Sequence, residues 1–248
     1  RVVEEAVALY ANTPGVRHGP ALLAPLSWVW EAGAARKRRR ETACATRLDC
    51  RVVSVGGIAM GGVGKTPLVL WLAEELRKRG KRPAILTRGY RRRKQEKHTL
   101  LAPGEAAPPD VTGDEAQIFV RAGVGAVGIG KDRAETGRLL VERFQPDIVL
   151  LDDGFQHWRL ARDVDIVLID ALDPLAGGAV FPRGRLREGP RALERADAFV
   201  ITRATAGSSY DGIVSLLRRF NQSAPVFRAR VTAQRWVDAA TGEQSCVP

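Results

Sequence analysis

Ala59-Met60-Gly61-Gly62-Val63-Gly64-Lys65-Thr66 is the stretch on which the reading of this chain turns. An apolar run at 52–55 precedes it and an amphipathic helical pattern at 68–79 follows, closed by Gly80. Strand, glycine-rich turn and helix start, in that order, make an anion cradle. Glycines let the backbone approach an anion and turn its N–H groups inward. The helix start adds unpaired N–H groups and the positive end of a dipole. Lys65 can reach the β- and γ-phosphates of a nucleotide, and the Thr66 hydroxyl can hold Mg²⁺. Ala59 stands where the strict pattern has glycine, but the cradle is made by the residues after it. Ala59 to Thr66 is therefore the expected nucleotide-binding set.

A second signal lies downstream. The apolar run 148–151 ends in Asp152-Asp153-Gly154-Phe155-Gln156-His157. In open α/β sheets, ligands sit beyond the carboxyl ends of the strands. Asp152 and Asp153 are thus candidates for Mg²⁺, a turn or helix cap being the bland alternative. Gln156 and His157 could bond phosphate or order the metal's waters, though a structural histidine explains His157 alone equally well. Asp114, in Thr112-Gly113-Asp114-Glu115, is either a helix cap or a base that takes a proton from a substrate hydroxyl. Arg183-Gly184-Arg185-Leu186-Arg187-Glu188 could clamp a phosphate through guanidinium forks, or could be a solvated basic loop. Loop and acids together predict an ATP-dependent kinase.

The surrounding pattern fits that chemistry. Compact apolar runs at 52–55, 83–87, 126–129, 148–151, 166–169 and 199–202 alternate with helical stretches at 68–79, 115–122 and 133–144. Alternation of this kind predicts a P-loop NTPase-like α/β fold, a mostly parallel sheet with helices on both faces. Residues 91–109 read as a mobile polar loop. Residues 226–238 read as two short strands around Ala233, outside the alternating pattern. The expected division is an N-terminal membrane-associating segment (1–50), a kinase core (51–225) and the start of a C-terminal β element (226–248).

The 248 residues carry Lys+Arg 39 against Asp+Glu 28, a net charge of +11. Such a field attracts anions of any kind. Cys44, Cys50 and Cys246 form no CxxC pair, which excludes a disulfide framework and a zinc site. No run approaches the roughly 20 apolar residues needed to span a bilayer, and no secretory signal is expected. Leu22, Leu23, Leu26, Val29 and Trp30 nevertheless fall on one face of a helix, with Pro25 in its first turns. Trp28 and Trp30 stand beside the basic run 36–40, which includes Arg38. That is the pattern of an interfacial membrane helix, the alternative being a helix packed on the protein's own core.

The motifs, taken together, resemble one family. Ser54-Val55-Gly56-Gly57, Gly61 to Pro67, Leu86-Thr87-Arg88-Gly89-Tyr90, Gly113-Asp114-Glu115-Ala116, Asp152 to His157 and Leu186-Arg187-Glu188 look like tetraacyldisaccharide 4'-kinase, the lipid A kinase of Gram-negative bacteria. The resemblance implies transfer of the ATP γ-phosphate to the 4'-hydroxyl of a tetraacylated glucosamine disaccharide 1-phosphate. It implies ATP and Mg²⁺ as cofactors and a peripheral position on an anionic surface, the cytoplasmic face of the inner membrane. No nucleic acid is expected as a partner. By resemblance, Asp114 is the catalytic base, Lys65 and Thr66 serve nucleotide and metal, and Asp153 helps hold the metal. Arg187 works near the phosphates, with Glu115, Gln156, His157 and Glu188 around the substrate. Gly57, Ala59 and Met60 depart from the family's usual run, and the loop 91–97 is unusually basic. Family members continue into a C-terminal lobe whose histidine partners the aspartate. No residue here matches it, so a fragment is expected. A partitioning-type ATPase switch, binding membrane or DNA, is the rival reading, although Met60 stands where those proteins carry a signature lysine.

Overall fold

The computed structural model describes residues 21–90, 92–93, 96–232, 235–237 and 243–246. After a 3₁₀ turn at Ala21–Leu23 come α1 (Ala24–Ala43), β1 (Arg51–Gly56), α2 (Lys65–Lys78), β2 (Pro83–Thr87) and β3 (His98–Leu101). Then follow α3 (Pro109–Thr112), α4 (Asp114–Ala122), β4 (Ala126–Gly130), α5 (Arg133–Phe144), β5 (Ile148–Asp152) and β6 (Val164–Asp170). A 3₁₀ stretch at Pro190–Arg195 leads into β7 (Ala198–Thr202), α6 (Asp211–Arg218), β8 (Val226–Arg228), β9 (Arg235–Val237) and β10 (Gln244–Cys246).

Eight strands form one sheet in the order β3-β4-β2-β5-β1-β6-β7-β8. All its pairings are parallel except β3 with β4. The central strands are buried on both faces, as parallel strands under crossover helices must be. Ile85, Val127, Leu150 and Val55 pack with α2 and α4 on one side. Leu86, Val149 and Leu151 pack with Leu140 of α5 on the other. A further cluster gathers Phe155, Val167, Ile169, Phe199 and Leu217.

The sheet sets the two motifs side by side. Register pairs Val55 of β1 with Asp152 of β5, so phosphate loop and acids leave adjacent strand ends. The Gly154 amide donates to the Val55 carbonyl at 3.2 Å, locking the acidic turn onto β1. A Cβ at Gly56 would lie 2.8 Å from the Phe155 amide nitrogen, so the close approach of the turns requires glycine.

The structure departs from expectation in two places. The stretch 91–109 holds an edge strand, β3, and ends beside the helical turn α3. Residues 98–101 are too short for a periodic signal, and antiparallel pairing with β4, distant in sequence, makes them a strand. At the other end, Val226–Arg228 joins the main sheet beside β7. The separate β element is the antiparallel pair β9–β10, and Ala233 lies outside the described residues. The expected N-terminal segment is described only from residue 21.

Candidate active site

Gly64 caps α2 in a left-handed conformation, φ 82°, and Gly61 has φ 122°. Side chains rarely adopt either, which is why the loop is glycine-rich. Lys65 and Thr66 open the helix. Lys65 Nζ folds back to the Gly61 carbonyl at 3.3 Å and faces Asp153 Oδ1 as an ion pair, also at 3.3 Å. Asp153 itself sits at φ 48°, an uncommon backbone for a non-glycine residue at a functional turn.

Around these groups lies a polar cavity of about 580 Å³. Asp152, Asp153, Gln156, His157, Glu115 and Arg187 line it, with Lys37, Arg88, Tyr90, Lys131, Arg133 and Arg159. Arg187 Nη1 donates to Asp153 Oδ2 at 2.8 Å and to Gln156 Oε1 at 3.3 Å. Asp153 thus stands between two cations, Lys65 and Arg187. Burial works against its ionisation, but those charges outweigh it and hold the carboxyl below its ordinary range. Asp152 accepts the Thr87 hydroxyl at 3.0 Å. Burial, and then the Asp153 charge, push its carboxyl up to about 6. Burial and the nearby Arg133 charge push the His157 imidazolium down to about 3, so the ring is neutral at physiological pH. Arg133, buried, donates to the carbonyls of Asp152 and Asp153 at 2.6 and 3.2 Å and so braces the acidic turn.

The other expected residues take defined places. Asp114 is the first residue of α4 and exposed, with no side-chain capping bond reaching the helix end. Its neighbour Glu115 lines the polar cavity, whereas Asp114 lines neither cavity. Glu188 is buried behind the cavity instead of lining it. It accepts Gln156 Nε2 at 3.0 Å and Arg195 Nη2 at 2.9 and 3.0 Å. Arg185 pairs away from the site with Asp173. Among the residues expected at a membrane, Trp28 is 73% and Trp30 42% exposed, and the polar ends of Trp30 and Arg38 reach back to the protein. Trp30 Nε1 donates to the Arg187 carbonyl at 3.0 Å and Arg38 pairs with Glu188 at 3.7 Å. Helical periodicity assigned Trp30 to the apolar face without showing that its indole N–H had a partner 157 residues away.

Beyond the phosphate loop lies a larger cavity, about 1090 Å³, lined by Gly62, Gly64, Leu68, Trp71, Arg203 and Phe227 among others. Arg203, at φ 56°, donates to the Gly62 carbonyl at 2.8 Å and pairs with Asp170 at 2.9 Å. Sequence reasoning gave no hint of this side or of Arg133, Arg159 and Lys131. Their elements are far apart in the chain and converge only through strand order.

The family model for tetraacyldisaccharide-1-P 4'-kinase matches residues 20–247. The chain belongs to the tetraacyldisaccharide-1-P 4'-kinase family. It is 40% identical over 227 residues to the tetraacyldisaccharide 4'-kinase of Syntrophobacter fumaroxidans, covering 90% of this chain and 60% of that one. To the enzyme of the same name from Chlamydia abortus it is 44% identical over 185 residues, 73% of this chain and 49% of that one. The crystal structure of LpxK from Aquifex aeolicus in complex with ATP superposes with TM-score 0.69 at 30% identity, covering 84% of this chain and 64% of the other. The chain therefore spans about half to three-fifths of the length of these curated relatives.

Whether the residues fit Mg²⁺ is answered by their donors. Asp153 Oδ1 is buried without a hydrogen bond, facing only the Lys65 ammonium as counter-charge. Thr66 stands in the first turn of the adjoining helix. Mg²⁺ in nucleotide sites takes one or two carboxylates and fills its octahedron with phosphate oxygens and water. The set fits, and no group of three or more His, Cys, Asp or Glu stands together among the described residues.

Proposed function

We propose that the chain forms the nucleotide-binding and catalytic part of an ATP-dependent kinase. It transfers the γ-phosphate to the 4'-hydroxyl of a tetraacylated glucosamine disaccharide 1-phosphate, the lipid A precursor. The observation that carries this is the row Lys65–Asp153–Arg187, which joins the phosphate loop to a cationic cavity large enough for a phosphosugar. The family's printed name and the ATP-bound relative support the same reading.

In this reading the triphosphate lies along Gly61 to Thr66, and the nucleoside enters the larger cavity between Trp71 and Phe227. Thr66 and Asp153, with Asp152 beside them, would hold Mg²⁺, which neutralises charge on the β- and γ-phosphates when bound. Lys65 exchanges Asp153 for the phosphates. Asp114 takes the proton as the 4'-oxygen attacks phosphorus and the bond to the bridging oxygen breaks, releasing ADP. Arg187, which in this structure bonds Asp153 and Gln156, turns to the transferring group and stabilises it.

The site of action is proposed to be an anionic membrane surface, the cytoplasmic face of the inner membrane. Leu22, Leu26, Trp28 and Val29 of the N-terminal helical segment are exposed, and the basic run 36–40 follows on α1. No helix among the described residues is long and apolar enough to cross a membrane, and the attachment proposed for this exposed apolar and basic segment is peripheral.

The test is label transfer from γ-labelled ATP to tetraacyl disaccharide 1-phosphate. Lys65→Ala is expected to abolish transfer and ATP-dependent thermal stabilisation. Asp114→Asn is expected to lower turnover roughly 10²- to 10⁴-fold, the range for a positioned base, with ATP affinity retained. Absence of transfer while ATP still binds would favour a nucleotide switch and overturn the kinase reading.

A further inference from the structure

The segment 179–188 forms a strap between α1 and the phosphate loop. On its inner side the Met60 amide donates to the Arg185 carbonyl and the Arg187 amide to the Ile58 carbonyl, each at 2.7 Å. Leu186 bridges Ala59 and is fully buried. The shoulders of the phosphate loop are therefore tied to residues 185–187.

On its outer side the strap is held by one face of α1. Ser27, itself buried, donates to the Val180 carbonyl at 2.9 Å and accepts the Arg183 amide at 3.3 Å. The Trp30 ring meets Phe181 edge-on, centroids 4.9 Å apart. Its indole N–H donates to the Arg187 carbonyl at 3.0 Å. Arg38 reaches Glu188, which holds Gln156, a second partner of Arg187's neighbourhood. Residues 27, 30 and 38 share a helical face; Val29 points away from it, and Leu26, one turn before Trp30, lies at its border.

From this chain of contacts we infer that Trp30 is a positioning residue for Arg187. The inference rests on the kinase reading, because it gives Arg187 its task there. Arg187 has one fixed end, a backbone pinned between Ile58 and Trp30, and one working end, the guanidinium on Asp153. The backbone amide is set by the phosphate loop, and the carbonyl by α1. Removing the indole donor leaves Ser27 holding Val180 and Arg183, but the backbone of Arg187 itself is then tied only through its amide. The guanidinium then loses its fixed reach toward the transferring phosphate. Trp30 lines neither cavity and meets the polar one only through Arg187, so its effect passes through that residue.

Trp30→Phe keeps an aromatic ring against Phe181 and removes only the N–H. In the label-transfer assay it is expected to lower kcat roughly three- to ten-fold, the worth of one hydrogen bond. KM for ATP and for lipid should stay within about two-fold. In an Arg187→Ala background the same change should cost nothing further, since coupled residues are not additive. Equal losses in both backgrounds would overturn the inference. A second measurement does not need phosphoryl transfer. The Trp30 indole N–H resonance should shift when Mg·ATP is added to the wild-type chain, and should not in Arg187→Ala. An indole resonance indifferent to ATP would sink the proposal even if the kinase reading held. Absence of transfer beside an ATP-sensitive indole would sink only the kinase reading.

Discussion

Asp152 keeps the Thr87 hydroxyl as its bond in a buried position, while its neighbour Asp153 faces Lys65 and Arg187. The raised carboxyl of Asp152, about 6 against an ordinary 3.8, means the folded protein prefers it protonated. Its ionisation therefore costs stability, from little below pH 4 to the full amount above pH 6. Asp153 has the opposite sign: its stabilisation is present at neutral pH and fades as pH falls through its lowered value. Asp152→Asn is expected to raise the melting temperature of the nucleotide-free protein at pH 8, the gain corresponding to at most about 3 kcal/mol, and to give about half of that at pH 5. Thermal melts without Mg²⁺ check this, and a gain independent of pH would refute it. At this scale Lys65, Asp153 and Arg187 were legible because each sits in a motif with a local reason. Arg133 and Arg159 carry no such local mark. Trp30 was legible as an apolar residue, and its donor role depended on a carbonyl 157 residues away.

Among the elements, α1 was read correctly as a helix, and the structure shows which of the apolar side chains at its start remain outside. Leu22 is 87% exposed and Val29 70%, with Trp28 between the two faces. Replacing Leu22 and Trp28 together by serine is expected to weaken partition onto anionic vesicles about ten-fold or more, since each buried apolar side chain contributes roughly 1.5–3 kcal/mol at most. Co-sedimentation measures it; unchanged partition would move the contact elsewhere on the molecule. ATP affinity should not follow, because neither residue lines a cavity. β3 was not legible. A four-residue edge strand has too little pattern to declare itself, and its identity comes from the β4 residues it meets.

For the molecule as a whole, alternation of apolar runs and helices predicts a parallel sheet but says nothing of strand order. Insertion of β5 between β1 and β2 is what brings the acids to the phosphate loop, and that is a property of register alone. The +11 charge acts at the same scale. Vesicle partition is expected to fall steeply between about 0.05 and 0.5 M salt as screening lengths shrink, leaving a residual apolar term. A flat salt response, measured by the same sedimentation, would remove the charge from the mechanism of attachment. Because the strap clamps one face of α1, the helix cannot roll about its own axis, and the exposed Leu26, Trp28 and Val29 keep a fixed heading relative to the sheet. Lys37 and Glu41 of that same helix wall the polar cavity. With α1 seated in a lipid surface, the cavity mouth would open within about a helix diameter, 10–12 Å, of the headgroups. An acceptor could then present its sugar for reaction while its acyl tails stay in the bilayer, sparing about 0.8 kcal/mol of hydration penalty for every methylene that need never leave it.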